Sequence, residues 1–297
     1  MLFNTALSFF LCLSWGSASP IAVEKRDVNL GLLSTFQLMK QYADAAYCQE
    51  NNNSPGDKVS CHFNNCPLVQ AQNTTTIAEF ENSLLTDVTG FVAADYTNNL
   101  TLVSFRGSAS IRSWLSDVIF IRIPVDICSG CTAHWGFWTS WVDSRGPVLQ
   151  AVRTAVAKNP GFRIAFTGHS LGGAIASLAA AELRDNGYNI DLYTFSAPSF
   201  GDETLSTYIT NQAGGNYRIT HYNDPVPRVP PMLIGYAHLS PEYYVSTPAL
   251  TPVTTADIRV CAGIRNSDCN GAWIIVDILA HIQYFDLMGI CFPLLDV

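Results

Sequence analysis

Apolar residues recur along this 297-residue chain with two periods. Near Ser34–Ala46, Trp138–Lys158 and Leu171–Asn186 they return every three or four positions, the spacing of helices with one buried face. Short apolar runs at Thr89–Ala93, Leu100–Arg106, Arg163–Thr167, Asp191–Ser196, Tyr217–Tyr222 and Glu242–Val245 read as strands. Strands and helices take turns, so the pattern predicts an α/β domain with a mostly parallel sheet covered on both faces. Reacting residues in such sheets gather beyond the carboxyl ends of the strands.

Two further apolar stretches stand outside that rhythm. Ala6–Trp15 is followed by the small residues Gly16, Ser17 and Ala18, which predicts a secretory signal peptide over 1–18, too short to span a bilayer. Lys25-Arg26 is a dibasic processing site, predicting a propeptide over 19–26 and a single domain over 27–297. Residues 272–285 are apolar enough to suggest a membrane span, but Asp277 and His281 interrupt them, and a packed terminal segment is expected instead.

Composition narrows the class. With 48% hydrophobic and 13% charged residues the chain builds a core and is not disordered. No long linker or internal repeat divides it. A net charge of −8 without a basic stripe argues against nucleic acid as a partner. Of nine cysteines Cys12 falls in the signal, leaving an even eight for an oxidising compartment. Cys61 and Cys66 are close enough to pair, as are Cys261 and Cys269, and Cys48 with Cys291 would tie the two ends together. Cys128 and Cys131 lack both the second ligand pair of a zinc site and the helix start that activates a redox thiol, so a tight structural disulfide is expected. Asn52, Asn73 and Asn99 open glycosylation sequons.

The candidate chemistry lies in Gly168-His169-Ser170-Leu171-Gly172, between a strand and an Ala-rich helix. A strand, a sharp turn and a helix with this sequence form a nucleophile elbow, which holds a serine hydroxyl clear of the surface. A serine is a weak nucleophile; it needs a base, and the base needs a carboxylate to fix its tautomer. In elbow hydrolases the acid and the histidine follow the serine in the chain. Asp224 sits just past the Arg218–Tyr222 run and is the expected acid, with Asp202 and Asp257 as fallbacks. His221, His238 and His281 follow Ser170. His221 lies inside a strand, three residues before Asp224, and reads as structural. His238 precedes a turn. His281 comes last, and the chain order favours it as base. His169 is expected to point away from Ser170. An oxyanion needs two or more donors: the Leu171 N–H, and Ser108 after the tight bend at Gly107.

Together these segments resemble the secreted filamentous-fungal class 3 lipases, the family of the Thermomyces and Rhizomucor lipases. The resemblance is carried by Ala45–Cys48, Ser104–Ser108, Ile127–Cys131, Thr167–Gly173, Asn223-Asp224 with Val226–Pro231, Ser240–Tyr243 and Ala280-His281. It implies an α/β-hydrolase fold with a short helical lid. It implies Ser170, Asp224 and His281 as triad, Ser108 and Leu171 as oxyanion hole, and the disulfides Cys48–Cys291, Cys61–Cys66 and Cys128–Cys131. It also places a lid after Ser108, where Ile111, Trp114, Leu115 and Val118 fall on one helical face. Such a stripe suits a lipid or ester substrate at an oil–water interface.

Three features depart from the lipase pattern. Cys261 and Cys269 resemble a loop disulfide of related fungal feruloyl esterases. The segment Ala197–Asp202 lacks the basic residue common after its proline. Gln283 sits beside His281 where an apolar aromatic is usual. The expectation is therefore a secreted serine ester hydrolase, in the first place a triacylglycerol lipase acting through an acyl-enzyme, with no metal or organic cofactor. A feruloyl or other carbohydrate-linked esterase is the alternative, and a non-catalytic lipid-binding relative a more distant one. The sequence sets no oligomeric state.

Overall fold

An eight-stranded sheet runs through the computed structural model, which describes residues 28–81, 86–108, 110, 115, 119–289 and 291. The expected signal peptide and propeptide, and Ile111, Trp114 and Val118 of the expected lid, lie outside the described residues. Leu115 is described and is half-buried.

In chain order the elements are α1 (Leu30–Ala45), α2 (Pro67–Gln70), β1 (Thr74–Phe80), β2 (Gly90–Asp95), β3 (Leu100–Phe105), β4 (Arg122–Pro124), β5 (Thr132–His134) and α3 (Trp135–Lys158). They continue with β6 (Arg163–His169), α4 (Leu171–Asp185), β7 (Ile190–Phe195), α5 (Glu203–Asn211), β8 (Asn216–His221), β9 (Glu242–Val245), β10 (Ile258–Cys261), β11 (Gln283–Tyr284) and β12 (Asp286–Leu287). The sheet order is β1-β2-β3-β6-β7-β8-β9-β10. The five central strands from β3 to β9 pair in parallel, and the outer pairs are antiparallel.

Both faces of this sheet are buried, which is why its inner strands read as near-continuous apolar runs. Neighbouring residues serve opposite faces. Ile164 and Phe166 join the core under α3 and α4, while Ala165 between them joins the core under α1. Two helices begin earlier than expected because a polar side chain caps them. Asn29 accepts from the Leu32 N–H at 2.8 Å, so α1 starts at Leu30 and not Ser34. The His134 ring caps α3 through the Phe137 N–H, so that helix starts at Trp135 and not Trp138.

Other elements escaped the pattern. β1 is a threonine-rich edge strand and β10 a short one on the opposite edge, so neither carries a continuous apolar run. The 272–285 segment is not one packed piece, which corrects the expectation. Ile274 is 95% and Ile275 78% exposed, whereas Ala280, His281 and Tyr284 are buried. No described helix is long and apolar enough to cross a membrane.

Candidate active site

The elbow is built by close backbone approach. Ser170 takes φ +55° between β6 and α4. The first turn of α4 lies so near the exit of β3 that a Cβ on Gly172 would fall 2.2 Å from the Phe105 carbonyl oxygen. At Gly107 a Cβ would fall 2.1 Å from the Tyr47 hydroxyl and 3.1 Å from Ser170 Cβ. Only glycine permits that approach, which brings the exit of β3, just before Ser108, against the serine turn. Leu171 is the first residue of α4, so its N–H lies in the first turn, where helix donors lack intrahelical partners.

Asp224 sits on the loop after β8, buried, and draws four donors together. It accepts from the Val226 N–H at 2.9 Å, from the Tyr284 hydroxyl at 2.8 Å and from the Ser196 hydroxyl, and it faces His281 Nδ1 at 3.2 and 3.3 Å. Burial pushes this carboxyl up; the charge and hydrogen bond of His281 and the donors from Ser196 and Val226 outweigh it and hold Asp224 below the ordinary carboxylate range. Burial, with the Asp224 charge beside it, raises Tyr284 well above the usual phenol value, so its hydroxyl remains a donor.

His281 follows the one-turn helix Ile278–Ala280 and is clamped by two other histidines. His221 hydrogen-bonds the Ala280 carbonyl at 3.0 Å through Nδ1, and His169 donates from Nε2 to the His281 carbonyl at 2.9 Å. The His169 and His281 rings lie 4.6 Å apart. Burial lowers His169 to about 3, with the nearby His281 adding to the effect, so it is neutral and accepts from the Tyr47 hydroxyl through Nδ1. His169 therefore turns beneath the elbow, as expected. Further along, Lys40 donates to the Leu287 carbonyl at 2.8 Å and Asp44 accepts from the Gly289 N–H at 2.6 Å, tying the β11–β12 hairpin to α1.

Ser170 Oγ and His281 Nε2 are both buried and, among the described residues, both without a hydrogen-bond partner. One is a donor and the other, with the proton on Nδ1, an acceptor. Hydrogen bonds between a nucleophile and its base are often long before substrate binds.

The other candidates have structural tasks. Asp202 caps α5 and holds Thr132, and Asp257 is engaged with Thr254. His238 donates from Nε2 to the Pro227 carbonyl. Gln283 is buried, and its Oε1 has no partner among the described residues. Asn52 is 3% exposed, so the fold leaves no room for a glycan there, a correction to the sequon reading; Asn73 and Asn99 are exposed. Cys48–Cys291, Cys61–Cys66, Cys128–Cys131 and Cys261–Cys269 are disulfides, as expected. Among the described residues, the groups close enough to share an ion are Cys48, Cys61 and Cys291, and Glu50, His62 and Cys291. Their sulfurs are held in disulfides and offer no thiolate.

Sequence reasoning passed over two residues that touch Asp224, namely Ser196 and Tyr284. Ser196 carried a usable signal, since it directly follows a parallel strand at the sheet's carboxyl edge. Tyr284 carried none.

Comparison with known proteins gives the family. The profile described as Lipase (class 3) matches residues 102–234, and that of the lipase 3 N-terminal region matches residues 3–77. A secreted mono- and diacylglycerol lipase A of Penicillium cyclopium is 41% identical over 94% of this chain and 94% of its own. A secreted mono- and diacylglycerol lipase 1 of Fusarium solani is 39% identical, over 97% of this chain and 89% of its own. The crystal structure of a mono- and diacylglycerol lipase from Aspergillus oryzae superposes with a TM-score of 0.84 at 40% identity, covering 87% of this chain and 98% of that one. The fold is thus the α/β-hydrolase fold that the sequence implied.

Proposed function

The chain belongs to the class 3 lipase family and is a secreted lipase-type carboxylic ester hydrolase; from that premise we propose that Ser170, His281 and Asp224 form its catalytic triad. Ser170 Oγ attacks the ester carbonyl while His281 Nε2 takes its proton. Asp224 holds the imidazole and balances the charge that forms on it. The oxyanion lies between the Leu171 N–H and Ser108. The alcohol leaves with the proton from His281, and water, deprotonated by the same ring, releases the acid from the acyl-enzyme. The observation that carries this reading is a complementary pair of buried atoms that have no partner among the described residues, Ser170 Oγ and His281 Nε2, with Asp224 on the far side of the ring.

We further infer that mono- and diacylglycerols are the preferred substrates, in place of the triacylglycerols first expected. The names of the Penicillium and Fusarium relatives support this. They also set aside the feruloyl-esterase alternative. The oil–water interface belongs to the same proposal. Ile119, Phe120 and Ile121 are exposed, as are Leu233 and Ile234, and Arg122 joins the two groups through the Gly235 carbonyl. Ile274–Val276, also exposed, sit beside the acid's loop through the Asp277 N–H to the Asn223 carbonyl. Exposed apolar groups of this kind mark surfaces that meet lipid. The lid over Ile111, Trp114, Leu115 and Val118, a propeptide ending at Arg26, and glycans on Asn73 and Asn99 complete the proposal.

The test has two arms. Ser170→Ala should lose about 10⁴-fold or more in rate and no longer be labelled by a serine-directed phosphonate. On emulsified mono-, di- and triolein the wild-type enzyme should turn over the partial glycerides faster. A phosphonate adduct elsewhere overturns the nucleophile, and faster triolein turnover overturns the substrate preference.

A further inference from the structure

We propose that Ser196 is a positioning residue that holds the proton of His281 on Nδ1 and so keeps Nε2 available as the base. The proposal rests on His281 and Asp224 acting with Ser170. Ser196 Oγ lies 2.5 Å from His281 Nδ1 and also hydrogen-bonds Asp224 Oδ2. A hydroxyl has one proton to give, and an ionised carboxylate has none. The Ser196 proton therefore goes to Asp224, and its oxygen accepts the N–H of His281. That contact excludes the other imidazole tautomer, in which Nδ1 would carry a lone pair toward a lone pair.

The direct distances from Nδ1 to Asp224 are 3.2 and 3.3 Å, so the hydroxyl is the nearer acceptor. Tyr284 also donates to Asp224, but among the described residues only Ser196 has a hydroxyl bonded to both the acid and the base. The acid and the histidine are thus joined by two routes, one direct and one through Ser196. Asp224's carboxyl is held down by this donor among others, which keeps it ionised and able to receive both.

The backbone adds a second observation. Ser196 has φ +54°, a region where a side chain is strained and glycine is not. Its N–H donates to the Ile219 carbonyl at 3.1 Å, so this turn is fixed by the end of the sheet. A glycine would make the turn without strain but would leave the gap between His281 and Asp224 without its bridge.

Ser196→Ala and Ser196→Gly separate these roles. Both lose the hydroxyl; only the glycine relieves the backbone. On a soluble p-nitrophenyl ester both variants should lose about 10- to 100-fold in kcat, by similar amounts, with KM within about twofold of wild type. Their melting temperatures should differ, with glycine above alanine. Activity then follows the hydroxyl and stability follows the backbone. Wild-type kcat in either variant overturns the proposal, and so does a kcat that rises and falls with melting temperature. Ser170→Ala and His281→Ala, run beside them, report on the triad itself. If those two remain active, the triad reading fails; if they are inactive while both Ser196 variants turn over normally, only the role of Ser196 falls.

Discussion

Residues 272–277 and 278–284 form one apolar run in the sequence and behave as opposites in the fold. The first half carries Ile274, Ile275 and Val276 in the open. The second half is buried and polar in function: His281 meets Asp224, Ser196, His169 and the strap from His221. Apolarity along the chain therefore does not decide burial here. What decides it is which residues have hydrogen-bond partners waiting. Asp277 makes the switch between the halves. Its N–H goes to the Asn223 carbonyl and its carboxylate caps Leu279, turning the chain inward just before His281. The proposed triad histidine is held in place by polar neighbours, while the apolar residues beside it stay in the open.

The largest effect should come from breaking the buried half. His281→Ala is expected to lower kcat/KM on any ester by about 10⁴-fold or more while the protein stays folded, since the side chain works at the reaction and the strap contacts to Ala280 and residue 281 use main-chain carbonyls. Comparing the variant's rate with its far-ultraviolet circular dichroism checks this. A rate within tenfold of wild type would mean that another base serves Ser170.

This contrast also explains what was legible in the sequence. The elbow was readable because glycine spacing and strand–helix succession are local, and each glycine answers to a backbone neighbour such as the Phe105 carbonyl above Gly172. Asp224 was readable because a strand ends just before it. Tyr284 gave no sign, since its task is set by a loop 60 positions away in the chain; Ser196 offered its place at the end of β7 but not its partner, nearly 30 positions on. The exposure of Ile274 and Ile275 was unreadable for the same kind of reason. Nothing nearby marks them as outward; only the tie to Asn223 on the acid's loop makes them so. The interiors of the expected strands and helices came through, while β1, β10 and α5 went unseen, and the starts of the expected helices moved only where Asn29 and His134 supplied caps.

A smaller effect should come from the exposed half. Replacing Ile274 and Ile275 together by Asp removes two side chains that touch water in the free enzyme, so the melting temperature should hardly move. On an emulsion each lost isoleucine forfeits part of the roughly 1.5–3 kcal/mol gained by burying such a side chain. Rates on emulsified diolein should fall about tenfold or more, with the rate on a soluble ester unchanged. An equal fall in both assays would place these residues in the reaction and not at the interface.

The smallest effect is a pH dependence of stability that belongs to the buried histidines. Burial lowers His169 and His238 to about 3 and His134 to about 4, from 6.5. For His238 the Arg218 charge adds to burial. In the folded chain these rings stay neutral, while in the unfolded chain they take up protons below about pH 6.5. Unfolding thus absorbs protons, and stability is full above about pH 6.5 and declines as pH falls toward 4. Asp224, held below the ordinary carboxylate range, begins its own loss only at about pH 4 and continues below it, so between pH 7.5 and 4.5 the histidine loss dominates. The unfolding free energy from urea titrations between pH 7.5 and 4.5 should fall with a slope of at most about three protons, reduced by the Asp44 carboxyl that burial raises in the folded chain. His238→Gln, with no bond to Ser170, Asp224 or His281 and with an amide to offer the Pro227 carbonyl, should make that slope shallower by about one proton without changing the rate on a soluble ester at pH 7.5. An unchanged slope would show that His238 binds its proton equally in the folded and unfolded chain, and that its burial does not keep it neutral.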